Sequence, residues 1–308
     1  MKKELLKKIR SAKQILILTH TDPDGDAVGS AWLLQKIIQK LQPAARAGLL
    51  FDPEHKAELD YFIKKIKNIA VKMPDLIISV DASDLSRIYG LSGCRVNIKI
   101  DHHESKSSFG ELNIVDPRAA SCTLLIYQLA RQLGLRLSKP MAEALYLGLS
   151  SDTGNFAFAN TDTETLAAAL ECVRAGVRPN QIFNKLNEQL SFQEIRDFAV
   201  ALRSAGAHCG GRLITASIPA GLKVDNRFLI DFIRREKNAQ VAAVCVEKKD
   251  HIKLSLRSKS GINVAAVAAV FNGGGHKEAA AGKIYSATLA GAQKQVIQYF
   301  QKYVFPRQ

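Results

Sequence analysis

The chain has 308 residues, of which 47% are hydrophobic and 23% are charged, and its 43 Lys and Arg against 29 Asp and Glu give a formal net charge of +14. This ordinary apolar fraction excludes a disordered, collagen-like or fibrous protein. At this length we expect two globular domains.

The positive charge is concentrated towards the C-terminus. Residues 191–308 contain 18 Lys and Arg against 8 Asp and Glu, a net charge of +10, whereas residues 1–190 have a net charge of +4. Such an excess indicates either a basic surface that only aids solubility or an anionic partner such as nucleic acid or a nucleotide. Charge alone leaves both alternatives open.

The cysteines and the apolar segments predict a cytoplasmic protein. Five cysteines stand far apart without a C-x-x-C pair, which favours reduced thiols over a zinc site or a disulfide framework. The apolar run after the basic N-terminus, residues 15–18, is shorter than a signal peptide requires. No segment approaches the roughly 18 apolar residues of a membrane span, so we expect no membrane association.

Short β-branched runs alternate with helical patterns along the first half of the chain. We predict helices over 27–41 and 55–66 and strands over 14–19, 45–51, 76–80 and 96–100. Strands that alternate with helices indicate β-α-β units and a parallel sheet. In such sheets, ligands bind at the carboxyl ends of the strands.

The pattern becomes helical from residue 119 to about residue 207, and strands then return. The predicted helices cover 121–133, 139–151, 163–175, 179–190, 192–205, 263–271 and 290–303. The predicted strands cover 213–218, 239–246, 252–256 and a segment near 284. We therefore predict an α/β protein with an N-terminal parallel-sheet domain over 1–190, a helical linker over 191–206, a smaller α/β domain over 207–308 and a cleft between the domains.

Four clusters of acidic and histidine residues stand out, and three of them follow predicted strands. They are His20 with Asp24 and Asp26 after the first strand, Asp81 after the third, Asp101-His102-His103 after the fourth, and Asp152 after an apolar helix. Carboxylates together with imidazoles are ligands that suit Mn²⁺ or a similar divalent cation.

Each cluster taken alone also has an ordinary structural explanation. Asp26 could cap the next helix, Asp81 could cap a turn with Asp84, and adjacent histidines could form a polar loop. Asp152 could belong to a helix end at Gly154. The joint occurrence of the four clusters in this order favours a shared site over four separate structural roles.

The arrangement resembles the DHH phosphoesterase superfamily, which includes RecJ-type exonucleases, family II pyrophosphatases and nanoRNase/pAp-phosphatases. The resemblance covers nearly the whole chain. It implies two divalent metal ions, with Mn²⁺ expected and Mg²⁺ or Co²⁺ as alternatives. The implied ligands are His20, Asp24 and Asp81 for the first ion, and Asp26, Asp81, His102 and Asp152 for the second, with Asp81 as the bridge.

The resemblance also implies a reaction. Two such ions, about 3.5–4 Å apart, lower the pKa of a bridging water to give a hydroxide, and they clamp the attacking and leaving oxygens of a phosphoester. His103 is then expected at the scissile phosphate, as a contact or as a proton donor to the leaving oxygen. Asp101 is expected beside it, where it would fix an imidazole.

A glycine cluster in the basic C-terminal part resembles the G-G-G-H signature of the DHH-associated domain, which binds substrate. Glycines let a ligand approach backbone N–H groups closely, and such arrays of amides favour phosphates. Arg257, on a preceding predicted strand, belongs to the same set. Arg118 is a further candidate, although it could equally be an ordinary exposed arginine. The candidate substrate-binding residues are Gly273, Gly274, Gly275, His276, Arg257 and Arg118.

Length and C-terminal signature together make the chain look most like the nanoRNase/pAp-phosphatase group. The similarity implies an exoribonuclease that hydrolyses dinucleotides and other short RNA and also removes phosphate from 3′-phosphoadenosine 5′-phosphate (pAp). A soluble phosphodiesterase for cyclic di-AMP or its linear product pApA is the close alternative, and a non-catalytic nucleic-acid-binding protein is a more distant one. The expected partners are short RNA oligonucleotides or phosphorylated nucleotides, and a homodimer is an open alternative to a monomer.

Overall fold

Two units divide the chain in the computed structural model, Met1–Gln189 and Leu190–Gln308. The structure describes residues 2–55, 57–91, 93–104, 107–259, 261–286 and 288–306. The helix at Phe192–Arg203, which lies in the predicted linker, belongs to the second unit, because its Ala201 and Phe198 pack into that unit's core. The predicted cleft between the domains stays a prediction.

The first unit contains a five-stranded sheet and seven α-helices among its described residues. In chain order these elements are α1 (Lys2–Ser11), β1 (Gln14–Leu18), α2 (Gly25–Leu41), β2 (Arg46–Leu50), α3 (Asp60–Lys65), β3 (Leu76–Val80), β4 (Ile98–Asp101), β5 (Leu112–Val115), α4 (Cys122–Gln132), α5 (Lys139–Asp152), α6 (Thr163–Arg174) and α7 (Pro179–Asn187). The predicted α/β class is confirmed, whereas α1 and β5 were not predicted from the sequence.

All five strands of this sheet run parallel, in the order β2-β1-β3-β4-β5. Every residue of β3 is buried, as expected for a central strand with both faces covered. The chain leaves β1 towards one edge of the sheet to form β2 and then crosses to the other side to form β3. This reversal opens a crevice at the carboxyl ends of β1 and β3, which is the usual place for a ligand in an open parallel sheet.

Helices α2 and α5 pack closely because glycines stand at their contact. A Cβ atom added to Gly29 would collide with the carbonyl oxygen of Ala144 on α5. A Cβ atom added to Gly148 would collide with the carboxylate of Asp26 on α2. The two glycines therefore allow α5 to approach the start of α2, and this approach brings Asp152 at the end of α5 towards Asp26.

The second unit contains a separate mixed sheet. Its elements are α8 (Phe192–Arg203), β6 (Gly206–His208), β7 (Leu213–Ile218), α9 (Asn226–Ile233), β8 (Val241–Glu247), β9 (Ile252–Ser258), α10 (Val264–Val270), β10 (Gly274–His276), β11 (Ala279–Ile284) and α11 (Leu289–Tyr299), which ends in a π-helical turn at Phe300–Val304. The strand order is β10-β11-β9-β8-β7-β6, with only β7 and β8 parallel. None of the helices described in either unit is long and apolar enough to cross a membrane.

Candidate metal centre

The loop between β1 and α2 and the first turn of α2 supply three of the predicted ligands, two of which have distinct structural roles. Asp24 caps α2, since its Oδ1 accepts hydrogen bonds from the N–H groups of Asp26 at 3.0 Å and Ala27 at 3.2 Å. Asp26, for which capping was the alternative interpretation, lies inside the first turn and is fully buried. Its carboxylate accepts the N–H groups of Cys122 at 2.6 Å and Thr123 at 3.0 Å, so the start of α4 fixes it.

Asp81 follows β3 in a conformation that a non-glycine residue rarely adopts. Its φ angle is +54°, and its N–H donates to the carbonyl of Ile100 at 3.0 Å. The side chain is buried, and its Oδ1 receives no hydrogen bond from the described residues. The turn that follows is capped by Asp84, which accepts from Ser86. A left-handed aspartate without a capping role indicates a functional constraint.

His20 and His102 are both oriented by a backbone carbonyl. Nδ1 of His20 donates to the carbonyl of Thr21 at 2.8 Å, and Nδ1 of His102 donates to that of Ala119 at 3.1 Å. Each imidazole therefore presents Nε2 with its lone pair to the crevice. Fixing one ring nitrogen in this way is how proteins prepare the other nitrogen for a metal.

The Nε2 atoms of these two histidines face carboxylates from three elements. Nε2 of His102 lies 3.1 Å from Asp152, 3.5 Å from Asp81 and 3.8 Å from Asp26. Nε2 of His20 lies 3.8 Å from Asp81. Candidate ligand atoms within 4.8 Å of one another form three groups, namely His20 with Asp24 and Asp81, Asp26 with His102 and Asp152, and Asp81 with His102 and His103. The structure thus brings all six predicted metal ligands together, with Asp81 shared between groups.

Uncompensated negative charge shapes the electrostatics of this cluster. Burial, together with the charges of Asp26 and Asp24, raises the pKa of Asp81 well above its usual range. Burial and Asp26 also raise the pKa of Asp152 to about 7. Burial alone would lower the pKa of His102, but the carboxylates of Asp152 and Asp26 raise it to about 9. The cluster therefore lacks positive charge, which a cation would supply.

Two orphaned polar atoms test whether these residues fit a metal. Asp81 Oδ1 is buried and receives no hydrogen bond from the described residues, and the buried His102 Nε2 faces only carboxylate oxygens, at 3.1–3.8 Å, without a hydrogen bond of good geometry. A buried carboxylate oxygen and a buried imidazole nitrogen are costly without a partner. Hard carboxylate oxygens mixed with imidazole nitrogens suit a divalent cation such as Mn²⁺. The donor set and the missing partners thus both fit divalent metal ions.

Asp101 and His103 form a pair at the rim of the cluster. Asp101 is fully buried at the end of β4, and its Oδ1 accepts Nδ1–H of His103 at 2.8 Å. Burial alone would raise the pKa of Asp101, but the hydrogen bonds from His103 and the charge of Lys99 lower it below its usual value. The side chain of His103 is 44% exposed. Asp101 therefore orients a histidine whose Nε2 remains available to a ligand.

Arg118 lies at a surface pocket beside the cluster. Its side chain is 90% exposed and forms two hydrogen bonds to the carboxylate of Asp116, both at 3.0 Å. The pocket has a volume of about 690 Å³, and its lining includes Ala119, whose carbonyl orients His102, but none of the six clustered residues. The structure thus puts Arg118 next to the cluster without putting it in the cluster.

The glycine cluster of the second unit forms β10 and the approach to it. Cβ atoms added to Gly273 or Gly275 would collide with the backbone of β11, so both glycines have a packing role. Gly274 faces open space. Arg257 on β9 pairs with Ala279 on β11, and Ala279 pairs with the backbone of His276 on β10. The side chain of His276 lies outside the described part of the structure.

The site also contains groups that the sequence analysis did not single out. The backbone N–H groups of Cys122 and Thr123 hold Asp26, and Lys99 lies buried beside Asp101. The N–H groups carry no sequence signal, because any residue except proline supplies one. Lys99 does have a sequence signal, since it is a lysine between two isoleucines in the fully buried strand β4.

Comparison with known proteins places this geometry in a family. Residues 14–149 match the model of the DHH family, N-terminal domain, and residues 210–302 match that of the DHHA1 domain. A protein of Thermus thermophilus named bifunctional oligoribonuclease and PAP phosphatase NrnA is 30% identical over 302 residues, which cover 96% of this chain and 91% of that protein. The chain belongs to the DHH family.

Solved structures agree with the fold of this DHH protein. An exopolyphosphatase-related protein from Bacteroides fragilis has a TM-score of 0.87 at 24% identity and covers 97% of this chain and 96% of its own. A RecJ exonuclease crystallised with manganese has a TM-score of 0.59 at 16% identity and covers 98% and 94%. With its family and its cluster of carboxylates and imidazoles, the DHH protein is a hydrolytic enzyme, a phosphoesterase that depends on divalent metal ions.

Proposed function

We propose that this enzyme hydrolyses short oligoribonucleotides and removes phosphate from 3′,5′-bisphosphate nucleotides such as pAp. The observation that carries the proposal is the convergence of six carboxylate and imidazole side chains at the crevice between β1 and β3. The substrate class is supported by the Thermus thermophilus relative, which is named an oligoribonuclease and PAP phosphatase.

We assign the six clustered residues to two metal ions. His20, Asp24 and Asp81 would hold one ion, and Asp26, Asp81, His102 and Asp152 would hold the other. Manganese is the ion we propose, because the mixed oxygen and nitrogen donor set suits it and a RecJ exonuclease of similar fold was crystallised with it. Bound there, two divalent cations supply Lewis-acid chemistry that polarises phosphoryl oxygens and lowers the pKa of water.

The remaining residues of the site would orient the substrate and move a proton. His103, held by Asp101 through Nδ1, keeps Nε2 free to contact the scissile phosphate. When protonated on both nitrogens, it can donate from Nε2 to the leaving oxygen. Arg257, Gly273, Gly274, Gly275 and His276 would bind a second phosphate of the substrate, and Arg118 is a further candidate for a phosphate contact.

Substitution of Asp81 tests the proposed function. In Asp81→Ala, both metal groups lose a shared carboxylate, so we expect hydrolysis to fall by more than the roughly 10- to 100-fold that loss of an outer partner of a metal ligand costs. The measurement is turnover of pAp, five-nucleotide RNA, pApA and cyclic di-AMP with Mn²⁺. Wild-type turnover by Asp81→Ala would defeat the two-metal assignment, and preferred turnover of cyclic di-AMP or pApA would favour the alternative phosphodiesterase.

We further propose a homodimer that pairs through α6. One face of α6 is buried in the first unit, and the opposite face exposes Leu166, Leu170 and Val173 to between 44% and 53%. Their spacing of four and three residues is typical of a helix–helix contact. Glu164 lies in the first turn of the helix and Arg174 in its last turn, so an antiparallel second copy would bring opposite charges together.

We also propose that the enzyme is located in the cytoplasm. All five cysteines, of which three are buried, are free thiols. Free cysteines are typical of reducing compartments, where short RNA and phosphorylated nucleotides are also available. Fractionation of cells that produce the tagged protein tests the location.

A further inference from the structure

Lys99 is a buried lysine at the edge of the candidate metal centre. It lies on β4, two residues before Asp101, and its side chain is 1% exposed. Residues two apart on a strand point to the same face of the sheet, so Lys99 and Asp101 share one face. A lysine is almost never buried this completely unless it is paired. The position of Lys99 therefore depends on its partners.

The partners of the ammonium group come from three segments around the site. Nζ donates to the carbonyls of Ser107 at 3.0 Å and Ser83 at 3.3 Å. It lies 3.2 Å from Asp101 Oδ2 and 4.7 Å from the centre of the Phe109 ring. No described residue donates a hydrogen bond to Asp101 Oδ2, so the ammonium is the electrostatic partner of that oxygen.

Asp101 divides its two oxygens between Lys99 and His103. Oδ2 faces the ammonium, while Oδ1 accepts the backbone N–H of His103 at 3.2 Å and its Nδ1–H at 2.8 Å. We propose that Lys99 is a positioning residue for His103. It holds the Asp101 carboxylate in the orientation that keeps the proton of His103 on Nδ1 and leaves Nε2 for the substrate. The inference rests on the proposed function and extends it to a residue that acts through Asp101.

The two carbonyl contacts support the same role at the level of the backbone. Ser83 follows Asp81 after β3, and Ser107 follows the segment that carries His103. Lys99 thus ties the loop that follows β3 to the backbone at Ser107. A neutral side chain at this position would remove the charge that faces Asp101 Oδ2 and release at least one of these loops.

Substitution by Lys99→Met removes the charge and keeps an unbranched side chain that is one atom shorter. We expect kcat for pAp with Mn²⁺ to fall by about tenfold or more, as for other partners that orient a residue of a metal site. KM should change by less than about twofold, because the proposed contacts of Arg257 and the glycine cluster to the second phosphate are untouched. The matched control is Ile98→Ala, a buried residue on the same strand whose side chain points to the opposite face. It should lower Tm and leave kcat near the wild-type value.

A double-substitution cycle separates positioning from a general structural role. If Lys99 acts through His103, Lys99→Met should cause no further loss of kcat in a His103→Ala background. An equal loss in both backgrounds would overturn the inference. Should Lys99→Met not yield folded protein, Lys99→Gln replaces it, since the amide can still donate to the carbonyl of Ser107, and we expect the same loss of kcat.

A spectroscopic measurement tests the proposed role of Lys99 independently of turnover. Long-range ¹H–¹⁵N correlation spectra with Mg²⁺ should show His103 protonated on Nδ1 in the wild type and a mixture of tautomers in the Lys99 variants. An unchanged tautomer together with an unchanged kcat would overturn the role of Lys99. Absence of turnover in the wild type would instead overturn the proposed function, while the tautomer measurement would still decide the role of Lys99.

Discussion

At the scale of single residues, the candidate centre combines side chains that a sequence reveals with backbone groups that it does not. The six clustered carboxylates and imidazoles could be proposed from residue type, order and position after strands. Their orientation could not, because it depends on the carbonyls of Thr21 and Ala119 and on the N–H groups of Cys122 and Thr123. The positive φ angle of Asp81 could not be predicted either, since an isolated aspartate in a sequence gives no indication of its backbone conformation.

Gly274 allows the substrate-binding role of the glycine cluster to be separated from its packing role. In Gly274→Ala, the added methyl group meets no atom of the protein, so we expect Tm to be unchanged. If a substrate phosphate binds the nearby amides, the methyl group should raise KM about fivefold, which corresponds to roughly 1 kcal/mol, the typical contribution of one hydrogen bond. Steady-state kinetics with pAp measures it. An unchanged KM at unchanged kcat would remove Gly274 from the site.

At the scale of elements, periodicity predicted most helices and strands of the first unit, but short edge elements were missed. Strand β5 has only four residues and lies at the edge of the sheet, where one buried and one exposed face leave a weak pattern. The predicted helix over 55–66 is a turn at Ala57–Leu59 followed by the six-residue α3. Helix α6 was predicted correctly, but its second apolar face was not recognised, because the pattern does not show which face the protein covers.

A charged substitution on that face tests the proposed dimer. Leu170→Asp would bury a carboxylate between two apolar helix faces, and we expect it to weaken self-association by about 100-fold or more. Light scattering after size-exclusion chromatography measures the mass. Val200→Asp is the control, since Val200 on α8 is exposed to a similar extent, 52%, and lies in the other unit. A monomeric wild type, or dissociation caused by Val200→Asp alone, would contradict pairing through α6.

At the scale of the whole molecule, the charge distribution has a different meaning once the cluster is known. The net charge of +4 for residues 1–190 includes the negative charges of Asp24, Asp26, Asp81 and Asp152. Two divalent cations would offset those four charges and leave the first unit more positive. Both halves of the chain would then attract anionic substrates, with an effect that weakens as salt concentration rises.

Metal binding should stabilise the folded chain. In protein treated with a chelator, the buried carboxylates repel one another. A bound ion whose free concentration is about 100 times its Kd raises the free energy of unfolding by about 2.7 kcal/mol. For a unit of this size we expect Tm to rise by about 5–10 °C on addition of Mn²⁺. Differential scanning calorimetry measures the shift, and Asp81→Asn serves as the control with a much smaller one. An equal shift in both proteins would show that the ion binds elsewhere.

The parallel direction of the five strands has a practical consequence for handling the enzyme. The strands of the first sheet all point their carboxyl ends to the same side, where the crevice lies. The side with the amino ends of the strands therefore carries none of the six clustered residues. Met73 lies three residues before β3, whereas Asp81 directly follows it, and the Met73 side chain is 85% exposed. A fluorophore or a surface tether attached to Met73→Cys, in a chain whose exposed Cys94 is replaced by serine, would leave the crevice open, which suits single-molecule observation of turnover.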